Sequence, residues 1–132
     1  MKNQICFLFF IFLFETALGQ IPSNLKKLKA DKDYENLHSV ILGSDSLQTA
    51  FLIWIRKEVK QHKHEWHSEN VLIIQGKGEF KIGDKIYRVS KGDYFNIPVG
   101  LPHSVKVTST RPMKVLSVQS PQFSGDDRIF LE

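Results

Sequence analysis

Hydrophobic and polar positions divide the chain into three regimes. Residues 5–14, ICFLFFIFLF, are apolar without a break. Residues 21–37, IPSNLKKLKADKDYENL, are polar and lysine-rich, and within them Ser23 is expected to cap a short helix through Leu28. From His38 onward the pattern is that of strands, rich in β-branched and aromatic residues and broken by glycine and proline. TAFLIWIRKEVKQH (residues 49–62) reads as a strand that alternates in its later half. VLII (71–74) is apolar on both faces, as in a strand covered on both sides. Gly83-Asp84, between FKI and KIY, reads as a two-residue hairpin in which glycine supplies positive φ. Lys91-Gly92-Asp93 is a further turn. The segment from Pro98 to Pro102 leaves the ladder, because proline has no N–H to give it. HSVKVTS and MKVLSVQS supply two more strands. Short strands repeating about every 8–12 residues predict an all-β sandwich or barrel.

The apolar run at the start changes how the chain is divided. Lys2 precedes it, Ala17-Leu18-Gly19 follows, and together they have the layout of a secretory signal peptide cut before Gln20. A membrane-spanning helix needs about 20 apolar residues, and Glu15 interrupts this run too soon. The expectation is a secreted or periplasmic protein with no stable membrane anchor. Cys6 is the only cysteine and lies in this leader, so the mature chain is expected to have neither a disulfide nor a thiolate ligand. The chain then reads as a signal peptide (1–19), an N-terminal arm (20–37), a β-barrel (38–122) and a C-terminal tail (123–132). The net charge of +4 is dispersed, apart from Lys26-Lys27 and Lys29, and no arginine cluster is present. That argues against a nucleic-acid partner.

The chemistry concentrates in HKHEWHSE, residues 62–69. His62 and His64 are two apart on a strand, so both imidazoles leave the same face. Glu69 opens the next strand, expected to return beside the first as an antiparallel hairpin. If it faces inward, Val71 and Ile73 lie beneath it as a dry floor, where attraction between carboxylate and cation is strengthened. His103 heads HSVKV after the proline loop and is a candidate third imidazole.

These residues resemble the cupin family. The first stretch reads H-x-H-x4-E-x6-G from His62 to Gly76, and the second reads G-x5-P-x-G-x2-H through Gly92, Pro98, Gly100 and His103. The resemblance covers residues 50–120 and implies a small double-stranded β-helix, or jelly-roll barrel. It implies a metal held at the mouth by His62, His64, Glu69 and His103. Three nitrogens and one carboxylate oxygen leave one or two positions open, and such a set suits Mn, Fe, Ni, Cu or Zn. An open site is built to bind or activate something, here a small oxygenated molecule. As an enzyme the protein would be a metal-dependent dioxygenase, decarboxylase or isomerase; otherwise it is a non-catalytic sugar, metabolite or metal-binding module. The sequence departs from the family where a glycine often stands, at Arg56, and where an asparagine often stands, at Val107.

Other residues have two readings each. His67 and Glu65, in the turn between the ligand-bearing segments, are candidates for proton transfer, although solvent exposure is the commoner fate of such residues. Arg56 and Trp54 share the face of the histidines if the strand is unbroken. They then line the pocket; the alternatives are an arginine snorkelling at the rim and a core tryptophan. Trp66 either shields the mouth or anchors the turn, and Phe95 either lines the pocket or fills the barrel with Ile97. In the tail, Phe123 reads as a plug and Asp127-Arg128 as a pair. Ile129, Phe130 and Leu131 suit docking onto a neighbouring sheet, consistent with the homodimer that small cupins often form.

Overall fold

A computed structural model of the protein describes residues 23–131; the proposed signal peptide lies outside the described residues. Ten strands run β1 (Leu37–Ser44), β2 (Thr49–Ile55), β3 (Glu58–Lys63), β4 (Ser68–Gln75), β5 (Lys77–Ile82), β6 (Lys85–Ser90), β7 (Tyr94–Ile97), β8 (His103–Val107), β9 (Met113–Ser120) and β10 (Ile129–Phe130), with no helix among the described residues. They form two antiparallel sheets, ordered β1-β2-β9-β4-β7 and β10-β3-β8-β5-β6. The chain changes sheet at nearly every connection, which is the jelly-roll topology. No described helix is long and apolar enough to cross a membrane.

The corners explain how local sequence produces this winding. At Gly76, φ is +89° and an added Cβ would sit 2.8 Å from the Cα of Met113, so the corner between β4 and β5 accepts no side chain. The β5/β6 hairpin turns on Gly83-Asp84 as expected, with φ +57° at Gly83 and no positive φ at any described non-glycine residue. Positive φ at the first central residue alone is the pattern of a type II′ turn.

One corner overturns an expectation. TAFLIWIRKEVKQH is not one strand: it breaks at Arg56-Lys57, and its halves lie in different sheets. Alternation therefore does not carry from Trp54 and Arg56 to His62. The inward residues of β2 are Ile53 and Ile55, which line the barrel cavity. Trp54 faces the other way.

Two apolar layers result. Between the sheets, Ile55, Val71, Ile73, Phe80, Val89, Ile97, Val105, Met113 and Val115 form the core. Outside the first sheet, Leu52 and Trp54 are buried beneath the arm. His38 stacks between Tyr34 and Trp54 and bonds Asp31 at 2.6 Å. Lys114, buried beside Trp54, donates to the main-chain oxygens of Leu25, Lys26 and Leu28 at 3.2, 3.1 and 2.7 Å. Burying an ammonium is tolerable only when its donors are satisfied, and these carbonyls satisfy them. The arm is thus pinned by one cation. It forms a single turn rather than the expected helix, and the Asn24 side chain caps it by accepting the Lys26 N–H.

The segment read as a tail also joins the barrel. Ile129 and Phe130 pair with Lys63 and His62 of the same chain, so β10 extends the second sheet. Phe123 packs edge-on against Phe51 and touches the His64 and His67 rings.

Candidate metal centre

His62 and His103 are partners in the β3/β8 ladder, and their rings stand 4.2 Å apart. His64 follows just past the end of β3, its carbonyl receiving the Gly100 N–H at 2.6 Å. The ligand nitrogens of the three lie within 4.8 Å of one another, and all three residues are buried.

Glu69 reaches this group from across the barrel. The expected hairpin between its strand and that of the histidines does not form, because β3 and β4 belong to opposite sheets. Glu69 Oε2 lies 3.3 Å from His103 Nε2 and 3.7 Å from His64 Nε2. Its Oε1 accepts a hydrogen bond from the Ser117 hydroxyl. Val71, two residues on, is in the cavity floor with Phe80, Val105 and Val115.

The back of each imidazole is tied to the main chain. Nδ1 of His62 donates to Lys60 O at 2.9 Å, Nδ1 of His64 to Asp127 O at 2.6 Å, and Nδ1 of His103 to Leu101 O at 3.0 Å. A proton fixed on Nδ1 leaves the Nε2 lone pair for another partner. Nε2 of His64 and of His103 are buried with no hydrogen-bond partner of good geometry. Leaving a buried polar atom unpaired costs about 1–3 kcal/mol. A cation among the Nε2 atoms and the carboxylate would satisfy them at once, so these residues fit a divalent metal.

Electrostatics agrees with this donor set. Burial and the adjacent His103 push the His62 pKa down to about 4, so this ring is neutral near pH 7. Burial opposes ionisation of Glu69, but the adjacent His103 and His64 rings and the Ser117 hydroxyl outweigh it and hold the carboxyl well below the usual range. Burial also opposes charging of His64, yet the adjacent Glu69 carboxylate and the bond to the Asp127 carbonyl keep its pKa above the ordinary value.

The remaining candidates stand elsewhere. His67 is buried, not exposed, and its nitrogens face the Asp127 carboxylate and the Gln122 carbonyl, the latter at 2.9 Å. It is absent from the cavity lining and forms with His64 and Asp127 a second buried group of possible ligands on the tail side of the mouth. Glu65 points outward to Lys63 at 3.3 Å. Trp66 is 54% exposed and does not cover the mouth. Arg56 lies outside the barrel, over the Tyr34 ring and 3.2 Å from Asp33. Phe95 is barrel filling, with its ring edge-on to Phe80 at 4.6 Å.

Four residues at the mouth were not among the site candidates of the sequence, and two of them, Asp127 and Arg128, were expected only to pair with each other. Asp127 is buried and accepts the N–H groups of Glu65, Trp66 and His67 at 2.8, 3.2 and 3.0 Å, closing the turn between the ligand-bearing segments. Arg128 lines the cavity. Ser117 and Gln119 follow Val115 at inward positions of β9. A polar pair on the inward face of an apolar strand was a readable signal; Asp127 and Arg128, far along the chain from their partners, had none.

The cupin domain family model matches residues 52–119. The protein belongs to the cupin family. This cupin is 32% identical over 71 residues to an uncharacterised protein of Methanocaldococcus jannaschii, covering 54% of this chain and 57% of that one. It is 40% identical over 50 residues to quercetin 2,3-dioxygenase of Bacillus subtilis, covering 38% of this chain and 15% of the enzyme. The chain thus spans little more than half of one relative and a small part of the other. Among solved structures, KdgF from Halomonas sp. superposes with a TM-score of 0.64 at 23% identity, covering 70% of this cupin and 86% of that chain. A conserved double-stranded β-helix protein of Klebsiella pneumoniae superposes with a TM-score of 0.72 at 15% identity, covering 86% and 98%. These two likenesses are of fold.

Proposed function

We propose that this cupin is an exported metal-binding protein that takes a small oxygenated molecule at the open positions of a metal held by His62, His64, Glu69 and His103. One observation carries the reading: three buried imidazoles, each tied at Nδ1 to a main-chain oxygen, gather their ligand nitrogens within 4.8 Å of one another, and Nε2 of His64 and of His103 faces the Glu69 carboxylate at 3.7 and 3.3 Å. When bound, a Mn, Fe, Ni, Cu or Zn ion would supply Lewis acidity toward a carbonyl or carboxylate oxygen. The chain supplies orientation of the ligands and a dry floor that excludes water. The resemblance to a dioxygenase supports an oxygen-dependent reaction.

A second reading, a module that holds its ligand without turnover, is favoured by the cavity lining. Its titratable side chains are His62, Glu69, His103 and Arg128. The first three are ligands of the proposed metal, and an arginine is a poor proton carrier near neutral pH. The assembly we propose is a homodimer. Leu37, Ile41 and Leu47 expose apolar surface along the β1 edge, whereas Ile129 and Phe130 are engaged within their own chain.

Metal analysis of protein purified without a histidine tag tests the site. About one equivalent of metal is expected, lost in His64→Ala with the fold retained; absence of metal under native loading sinks the reading. Turnover of a metabolite panel with each candidate metal separates enzyme from binder. A mature N-terminus at Gln20 is the expected sign of export, and a retained Met1 would refute it.

A further inference from the structure

The strand that closes the sheet edge also carries a charge to the mouth. Phe130 pairs with His62 in the β10/β3 ladder. Directly paired residues send their side chains to the same face, and alternation places Arg128 on that face as well. It is the cavity face: the Phe130 ring lies 5.9 Å from the His62 ring, and Arg128 lines the cavity with His62, Glu69 and His103. Among the described residues, Arg56 pairs with Asp33 and Arg88 with Glu79, while Arg128 has no carboxylate within ion-pair distance.

The lining states what such a charge would meet. The cavity's water-accessible space is about 40 Å³. That is far below the roughly 300–1,000 Å³ of ligand pockets, so only a ligand of a few atoms enters it. Its floor is apolar, and among the described residues Glu69 is the one carboxylate in its lining. A divalent cation together with Arg128 would leave the mouth net positive above that floor. A guanidinium matches a carboxylate with two parallel N–H donors. A phosphate would call for more donors than one arginine, such as a nest of main-chain N–H groups, and no such nest is in this lining.

We propose that Arg128 is a specificity-determining residue, and that the site takes a carboxylate of only a few atoms. The carboxylate sits at the mouth beside Arg128. This inference rests on the reading of the site as a metal centre, and the experiment separates the two. The probe is acetate, with acetamide as its uncharged counterpart. Each is titrated calorimetrically into the full chain, once loaded with Co(II) and once stripped of metal. A charge-assisted pair predicts that the carboxylate binds about tenfold more tightly than the amide. Arg128→Gln is expected to abolish that preference by weakening the carboxylate alone, and Arg128→Lys to retain part of it, with Co(II) stoichiometry unchanged in both. No carboxylate binding by the wild type, or equal binding by Arg128→Gln, overturns the role of Arg128 and leaves the metal centre standing. Failure of the wild type to take up Co(II) overturns the metal centre, and the metal-stripped titration then still reads the arginine by itself.

Discussion

Replacing Asp127 by alanine removes the acceptor on which the mouth of the barrel is organised. The carboxylate receives three main-chain N–H bonds, at 2.8, 3.2 and 3.0 Å, and also engages the His67 ring. Hydrogen bonds to a charged group contribute about 1.5–3 kcal/mol each when removed singly. Four on one carboxylate are not additive. The N–H groups of Glu65 and Trp66 lie in an exposed turn where water replaces the lost partner, whereas that of His67 is buried and stays unpaired. The expected cost is therefore about 3–5 kcal/mol, near the top of the range for one substitution. For a domain of this size, each kcal/mol lowers the melting temperature by about 4–8 °C. A drop on the order of 20 °C should be visible by circular dichroism. The same residue holds His64 through its carbonyl, and loosening it should weaken metal binding about 10–100-fold, the usual effect of losing a ligand's outer partner. Asp127→Asn should recover little, because its amide turns a donor toward N–H groups. Destabilisation below about 1 kcal/mol, with unchanged metal affinity, would refute the assigned role.

Three further outcomes are expected. Lys114→Met should free the arm, costing about 1–3 kcal/mol from the lost carbonyl bonds and raising hydrogen exchange at residues 25–28; unchanged protection there contradicts the pinning of the arm. Gly76→Ala should cost more than about 2 kcal/mol, since positive φ and a 2.8 Å approach to the Met113 Cα oppose it together, and a wild-type denaturation midpoint would show the corner to be looser than drawn. In metal-stripped protein, His62 has its pKa lowered from 6.5 to about 4 by burial and His103. The unfolded chain then binds the proton first as pH falls, so this contribution is intact above 6.5 and is lost toward 4, on the order of 3 kcal/mol. The raised pKa of His64 acts in the opposite sense. The test is the difference between wild type and His62→Gln in urea melts: parallel pH profiles would contradict the burial effect.

Much of the barrel was legible because strand signals are local. An unbroken apolar run marked β4, alternation marked β8, and glycine and proline marked the corners. The hairpin at Gly83-Asp84 needs only its own residues and the strands beside it. The candidate ligands were legible for the same reason: His62 and His64 share a strand face, and Glu69 and His103 stand at fixed spacings from turns. What periodicity does not encode is the sheet a strand joins. A two-residue break at Arg56-Lys57 was enough to turn Trp54 outward and carry Arg56 outside the barrel. The same limit hid the crossing between β3 and β4, which brings Glu69 to the histidines from the opposite wall rather than from an adjacent strand. Only the tertiary structure returned the tail to the mouth, where Asp127 and Arg128 meet groups some sixty residues earlier in the chain. The physical reason is that backbone alternation is fixed residue by residue, whereas the partner of a buried carboxylate or a free edge strand is chosen by whichever unpaired group the completed fold brings within reach.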